Sequence, residues 1–220
     1  KLAFYRAALN SGLPKPEWGC LTGVRPAKFL AGLMQKDGLT ETAAVRMLTE
    51  TFGVSKERAS LALAAERAAA RAKAALAPQD VCLYIGIPFC PTRCAYCSFV
   101  SVDAPKLLKS IPDYLNALER EMRSTAAAVK AAGRRVVAVY IGGGTPTTLS
   151  APELDRLLAD TKACFDLSAC REFTVEAGRP DTVTEEKLAV LVSHGVNRVS
   201  VNPQTMSDAV LEEIGRHHTA

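Results

Sequence analysis

The chain has 220 residues, of which 48% are hydrophobic and 23% charged, with a formal net charge of +4. This composition is typical of a globular protein, and no apolar run approaches the roughly 18 residues that a membrane span requires. The beginning of the chain lacks a basic stretch followed by an apolar core and a small-residue cleavage site. We therefore expect a cytosolic protein with no membrane span.

The basic residues are unevenly spread. Residues 1–80 hold 12 Lys or Arg against 7 Asp or Glu, whereas residues 81–220 hold 15 against 16. A basic excess can attract nucleic acid or another acidic ligand, but these arginines are interleaved with alanines and no aromatic stacking platform accompanies them. We interpret the excess as a solvated helical surface and predict no nucleic-acid partner.

Residues 1–79 are predicted to form a small all-helical region. Pro26 suits the first turn of a helix that follows a turn at Gly23. Thr40 is a candidate N-cap for a helix that stops near Gly53. The Ala-rich stretch 56–77 has high helix propensity and predicts one long helix.

Residues 80–220 are predicted to form a second, α/β domain, because short β-branched stretches alternate there with helical ones. The predicted strands are 81–87, 136–143, 172–177 and 197–202. The predicted helices are 111–132, 151–164 and 184–194, with Ser150 and Thr184 at N-cap positions. Repeated β-α units imply a parallel sheet with right-handed crossovers.

An unusual motif follows each predicted strand. A cysteine-rich loop follows the first strand, "GGGTP" (142–146) the second, "EAGRP" (176–180) the third and "NPQ" (202–204) the fourth. Because sites in such sheets form at the carboxyl ends of the strands, the four motifs predict a single site.

The cysteine loop contains Cys90, Cys94 and Cys97 in the pattern C-x3-C-x2-C. A structural zinc site is closed by four ligands, and electron-transfer iron-sulfur clusters also take four thiolates. Three thiolates on a four-iron cluster would leave one iron open to a substrate or cofactor. A zinc or ferredoxin-like module, which is the alternative, would need a fourth protein ligand.

With Tyr96 before the last cysteine and "GGGTP" after the next strand, the pattern resembles the radical S-adenosylmethionine (SAM) superfamily. The resemblance implies a 4Fe-4S cluster on Cys90, Cys94 and Cys97, whose open iron chelates the amino and carboxylate groups of SAM. In that family one electron then cleaves the sulfonium to give a 5′-deoxyadenosyl radical. The fold implied is a partial (βα) radical-SAM barrel, preceded here by the helical region.

The resemblance also assigns roles to the other motifs. Gly142, Gly143 and Gly144, with the adjacent Thr145, are expected to bind SAM, since glycine lets the backbone approach its amino group closely. The alternative is a plain strand-to-helix turn. A phosphate loop is not indicated, because no Gly-Lys-Ser or Gly-Lys-Thr follows the glycines.

Four further residues match family positions that contact the cofactor. Glu176 would be costly to bury without a partner and is expected to contact SAM, the alternative being a surface salt bridge. Gln204 and Arg216, twelve residues apart, match cofactor-contacting positions of one subgroup, although Arg216 could instead be a solvated arginine. Tyr84, six positions before Cys90, matches a family tyrosine near the cluster and is our candidate catalytic and cofactor-binding residue.

That subgroup is the oxygen-independent coproporphyrinogen III dehydrogenase family. The segments "LYIGIPFCPTRCAYCSFVS", "VYIGGGTPTTL", "FTVEAGRPDTVT", "VNRVSVNPQTM" and "IGRHHT" resemble it, and with the leader "LTGVRP" they look most like its anaerobic Firmicutes branch. The resemblance implies radical decarboxylation of propionate side chains to vinyl groups, a porphyrinogen as ligand, and a flavodoxin- or ferredoxin-type electron donor.

One departure from the subgroup keeps a second function open. The best-understood members of the enzyme family carry a fourth cysteine two positions after the third, where this chain has Phe99. Related haem chaperones share "CxYCxF", so the alternative is a haem-binding delivery protein. His194, His217 and His218 are interpreted as solvated or helix-end residues, and the remaining cysteines as packing residues.

The chain has room for about four β-α units after residue 80, whereas the family's partial barrel has six. We therefore expect a chain truncated after the fourth unit, with an unpaired edge on its fourth strand. We also expect the isolated chain to make little or no 5′-deoxyadenosine.

Overall fold

The computed structural model describes residues 1–21, 25–99, 102–103 and 107–220. The predicted turn at Gly23 lies outside the described residues. The chain divides into two units, Lys1–Ala77 and Pro78–Ala220. Among the described residues, no helix is both long and apolar enough to cross a membrane.

The first unit consists of helices. They are α1 (Leu2–Asn10), α2 (Pro26–Gln35), α3 (Glu41–Glu50) and α4 (Lys56–Ala74). The predicted helices after Pro26, Thr40 and residue 56 are confirmed, whereas α1 was not predicted. Thr40 caps α3 by accepting a hydrogen bond from the Ala43 amide at 3.2 Å. Gly53, with φ +72°, follows the end of that helix.

The core of the helical unit is made of leucines and alanines. Leu30 of α2 and Leu48 of α3 are fully buried, and so is Ala59 of α4. Alanine at Ala59 and Ala62 keeps one side of α4 small, so the leucines of its neighbours pack directly against it.

The second unit is built on four parallel strands that follow one another across the sheet. They are β1 (Asp80–Ile87), β4 (Arg135–Gly143), β5 (Glu172–Ala177) and β6 (Arg198–Val201), in the order β1-β4-β5-β6. Two short strands, β2 (Phe89–Cys90) and β3 (Val102–Asp103), pair with each other beside them. The predicted parallel sheet is confirmed, and within the described residues it ends at β6, whose other edge pairs with no strand.

Helices connect successive strands of the main sheet and follow the last one. They are α5 (Ile111–Ala131), α6 (Ala151–Cys164), α7 (Glu185–Ser193) and α8 (Asp208–Glu213). Ser150 and Glu153 form a capping box at α6, and Thr184 caps α7 as predicted. The repeated strand and helix units give the architecture of a partial (βα) barrel.

Side chains alternate along the strands between two faces of the sheet, one that packs in the core and one that is open. Ile85, Ile141 and Val175 belong to the apolar core that includes Leu154, Leu157 and Leu158 of α6. The intervening residues Tyr84, Tyr140 and Glu176 lie on the opposite face, where Tyr84 is 62% exposed. The helices therefore pack against one face of the sheet, and the other face stays open near the strand ends.

Replacing Leu158 by alanine tests this core. Leu158 is completely buried, so L158A should leave a cavity and lower the free energy of unfolding in urea by about 2–5 kcal/mol. The matched control is V192A on α7, where the side chain is 72% exposed and the change should stay within about 0.5 kcal/mol. Equal effects of the two substitutions would contradict the assignment of the core face.

Candidate functional site

The loops at the carboxyl ends of β1, β4, β5 and β6 surround one cavity of about 330 Å3. Its lining includes every predicted site residue except Tyr84 and Gly142. The predicted residues in the lining are Cys90, Cys94, Cys97, Gly143, Gly144, Thr145, Glu176, Gln204 and Arg216. The structure thus brings together motifs that are up to 126 residues apart, counted from Cys90 to Arg216.

A larger cavity, of about 860 Å3, lies elsewhere, near the start of β4 and the ends of α5 and α6. Three of its cations are engaged within the fold: Arg123 pairs with Glu119, Arg135 pairs with Asp80, and Arg134 donates to the Pro78 carbonyl. None of the predicted motifs reaches it. Because ligands of parallel sheets bind at the carboxyl ends of strands, the smaller cavity is the candidate site.

The three cysteines face the smaller cavity from different depths. Cys90, at the end of β2, is buried, whereas Cys94 and Cys97 are half-buried. In the described part of the chain, no three His, Cys, Asp or Glu side chains lie close enough together to hold one metal ion. A single zinc ion needs ligands within about 2.3 Å of one point, whereas thiolates of an iron-sulfur cluster bind different irons. The three thiols line one cavity, where each could bind a different iron of a cluster.

Hydrogen bonds hold the cysteine loop in place. The Cys97 amide donates to the Cys94 carbonyl at 3.0 Å, and the Ala95 amide donates to the Ile214 carbonyl, after α8, at 3.1 Å. Thr145, which is 2% exposed, lies with its hydroxyl 3.5 Å from Cys90 Sγ. Such contacts orient ligand side chains before a metal binds.

The glycines at the end of β4 are required by the protein's own packing. Gly143 has φ +115°, and a Cβ on Gly144 would lie 2.7 Å from the Phe89 carbonyl and 3.0 Å from Cys90 Sγ. The cysteine loop therefore rests directly on the backbone of "GGGTP". The sequence suggested that these glycines let a cofactor approach the backbone. The structure gives a second reason, because a side chain at Gly144 would collide with the cysteine loop.

Glu176 is held by a tyrosine that the sequence analysis did not select. The phenol of Tyr140 donates a hydrogen bond to Glu176 Oε1, and Glu176 Oε2 lies 3.0 Å from where a Cβ of Gly142 would be. Burial, followed by the bond to Glu176, raises the pKa of Tyr140 to about 12, so its hydroxyl stays a donor. In the described ranges no ion pair involves Glu176. The alternative interpretation of Glu176 as a surface salt-bridge residue is therefore not supported there.

Tyr84 lies beside this pair and not in the cavity lining. Its ring stacks on Tyr140, with 5.9 Å between ring centroids. Burial, then the charge of Glu176, raises the pKa of Tyr84. The two rings and Glu176 form a polar cluster on the open face of the sheet, and Tyr84 would reach a ligand only from that face.

Gln204 and Arg216 enter the cavity from the loops around α8. Gln204 has φ +67° and is the central residue of a γ-turn closed by the Thr205 amide and the Pro203 carbonyl at 2.9 Å. Positive φ at a non-glycine residue is strained and concentrates at functional sites. Arg216 is 5% exposed and donates to the Gly178 and Asn202 carbonyls, so it is not a solvated arginine.

Arg216 has a hydrogen-bond donor that could bind a ligand. Its Nε is buried and bonds to no described atom, while its Nη1 lies 3.9 Å from Cys94 Sγ. A buried cation whose contacts are carbonyls and a thiol favours added negative charge. The donor set therefore fits a thiolate-bound cluster or a ligand carboxylate.

Sequence reasoning missed two residues of the site, the half-buried Tyr140 and the buried Arg179. Tyr140 was not predicted because its contact with Glu176 spans 36 residues and depends on the register between strands. Arg179, 1% exposed, lies within the quoted "EAGRP" and lines the cavity, but it was given no role. His217 and His218 do not line the cavity, and His194 bonds to Asp155 at 2.8 Å.

Comparison with known proteins gives the class first. The sequence profile of the radical SAM superfamily matches residues 84–220, and the chain belongs to this superfamily. Among solved structures, coproporphyrinogen III oxidase (HemN) of Escherichia coli, a radical SAM enzyme, matches with a TM-score of 0.57 and 28% identity. The match covers 70% of this chain and 34% of that one.

Two curated relatives carry haem-related names. It is 40% identical over 206 residues to the oxygen-independent coproporphyrinogen-III oxidase-like protein HemZ of Bacillus subtilis (strain 168), covering 92% of this chain and 41% of that protein. It is 44% identical over 139 residues to the heme chaperone HemW of the same strain, covering 61% of this chain and 35% of HemW. The chain spans less than half the length of each relative.

A first prediction concerns the glycine contact under the cysteine loop. G144A should displace the loop, because its Cβ would meet Phe89 backbone and Cys90 Sγ, and anaerobic iron incorporation should fall at least about tenfold. G178A is the matched control in the same cavity, since its Cβ would lie 3.9 Å from the nearest atom. Equal iron content in the two variants would contradict the steric role of Gly144.

A second prediction concerns Glu176. E176Q should weaken SAM binding to the reconstituted protein by about tenfold to a hundredfold, since a hydrogen bond to a charged group contributes about 1.5–3 kcal/mol. Equilibrium dialysis measures the affinity, and the iron content should not change. E172Q, at the exposed start of the same strand, is the control. SAM affinity that is unaltered in E176Q would remove Glu176 from the site.

Proposed function

We propose that this chain holds a 4Fe-4S cluster on Cys90, Cys94 and Cys97 and binds SAM in the cavity beside it. The observation that carries the proposal is that four strand-end loops, each with a predicted site residue, converge on the cavity that the three thiols line. When bound, the cluster and SAM supply one-electron cleavage of the sulfonium and a radical that abstracts hydrogen.

The chain's own residues would position these groups. The thiolates hold the cluster, and Thr145 orients Cys90 through its hydroxyl. The backbone at Gly143 and Gly144 forms one wall of the cavity, which suits close approach of a ligand amino group. Arg216, with its unused buried Nε, would bind a carboxylate, and the carboxylate of Glu176 would accept from ligand hydroxyls.

The substrate proposed is coproporphyrinogen III, whose propionates would be converted to vinyl groups by radical decarboxylation. Support comes from the match to the coproporphyrinogen-III oxidase-like protein, which extends over 92% of this chain and so includes the helical unit. The matches to HemW cover about 62% of the chain. The electron would come from a flavodoxin- or ferredoxin-type donor in the cytosol.

A haem chaperone is the second candidate, and Phe99 is the observation that favours it. Phe99 stands where the enzyme family has a fourth cysteine, is 65% exposed, and lines the cavity. An exposed aromatic ring beside the cluster suits stacking on a flat macrocycle. Relatives named heme chaperone support the same candidate.

Anaerobic reconstitution, followed by mass spectrometry, tests the proposal. We expect C90A, C94A and C97A each to lose the cluster's iron, because each removes a ligand that the remaining two cannot replace. C82A, an exposed cysteine on β1, should retain parental iron content. Parental iron content in any of the three site variants would refute the cluster assignment.

The same reconstitution of a protein that carries all six β-α units of the family's barrel separates the two candidate functions. Decarboxylated porphyrin that accumulates over repeated turnovers would support the enzyme. Stoichiometric haem binding with no decarboxylated product would support the chaperone and exclude the proposed reaction.

A further inference from the structure

Two consecutive strands end in the same local structure. After β4 the chain runs Gly144-Thr145-Pro146, and after β5 it runs Gly178-Arg179-Pro180. In each case an extended residue, Thr145 (φ −148°) or Arg179 (φ −135°), precedes a 3-10 turn that begins with the proline. Thr145 and Arg179 therefore occupy equivalent positions on neighbouring strands.

The two turns are joined side by side. Thr147 and Thr182 share a hydrogen bond between their hydroxyls at 2.6 Å. Lys187 of α7 donates to the Thr147 carbonyl at 2.6 Å and to the Thr182 carbonyl at 3.0 Å. This link fixes Thr145 and Arg179 relative to each other.

Both equivalent residues are buried and reach the cysteine loop. Thr145 contacts Cys90 Sγ at 3.5 Å. Arg179 Nη1 donates to the Thr92 hydroxyl at 2.7 Å and to the Thr92 carbonyl at 3.1 Å, and it lies 4.0 Å from Cys94 Sγ. The turn after β5 therefore holds the loop next to Cys94, just as the turn after β4 contacts Cys90.

Arg179 is paired with Asp181 through both carboxylate oxygens. Its Nε contacts Oδ1 at 3.2 Å and its Nη2 contacts Oδ2 at 3.5 Å. The side chain of Asp181 is 21% exposed whereas that of Arg179 is 1% exposed, so solvent screens the carboxylate more than the guanidinium. Arg216 places a second guanidinium 3.9 Å from Cys94 Sγ. Desolvating two cations beside one sulfur is costly unless negative charge accumulates there.

We infer that Arg179 is a positioning residue for the cluster, and this inference rests on the proposed cluster function. It fixes the Thr92–Cys94 segment before the cluster binds, and its charge stabilises the reduced cluster. One-electron reduction adds negative charge, so a nearby cation raises the reduction potential. Arginine suits this role because its planar group bonds Thr92 and Asp181 simultaneously.

The test is an EPR-monitored redox titration of the full chain with its cluster rebuilt, using dithionite as reductant. In R179Q the ratio of reduced to oxidised cluster at a fixed potential should fall about tenfold, which is 59 mV for a one-electron couple. R179K keeps the charge and should stay near the parent. R198Q, which removes a half-exposed arginine at the start of β6, should not shift the potential.

A second variant moves the potential in the opposite direction. D181N leaves the charge of Arg179 unbalanced and should raise the reduction potential, which a purely structural role for this pair would not do. Parental potentials in both loaded variants, R179Q and D181N, would overturn the inference.

Hydrogen exchange of the cluster-free chain tests separately whether Arg179 holds the cysteine loop in place. Amides of residues 92–97 should exchange about tenfold faster in R179Q than in the parent, whereas those of β5 should not change. Parental exchange at residues 92–97 would overturn the inference. If the parent never binds iron, the proposed function fails, and the exchange result still decides whether Arg179 holds the loop.

Discussion

The site depends on hydrogen bonds that continue the β1–β4 ladder beyond the ends of the strands. Ile87 pairs with Gly143 at the last step of the sheet, after which the Gly144 amide donates to the Ile87 carbonyl and the Thr145 amide to the Phe89 carbonyl, both at 2.8 Å. These bonds place the cysteine loop across the end of β4. Only glycine fits at 144 under such an approach, so the loop and the glycine motif form one structural unit.

Buried and half-buried polar groups then define the chemistry of the cavity. Tyr140 keeps Glu176 in place on one side, while Arg179 and Arg216 face Cys94 on the other. Glu176 therefore pairs with a tyrosine, and neither arginine contacts it in the described residues. This arrangement suits a cofactor that presents hydroxyls towards Glu176 and negative charge towards the arginines.

Sequence reasoning predicted the elements of the sheet because buried parallel strands are β-branched and apolar, and the helices because their N-caps are recognisable. It also predicted the single site, since the carboxyl ends of parallel strands share an edge. It missed α1, which lacks a side-chain cap and buries no residue fully. Tyr140, Arg179 and the steric reason for Gly144 depend on register between strands, which a linear pattern does not contain.

The central claim is that three thiolates hold a cluster with one iron open to SAM. It is tested most directly by the EPR spectrum of the reduced, reconstituted full chain before and after SAM is added. We predict that SAM changes the spectrum, because its amino and carboxylate groups would ligate the open iron, and that C94A gives no cluster signal. A spectrum that is identical with and without saturating SAM would contradict the account.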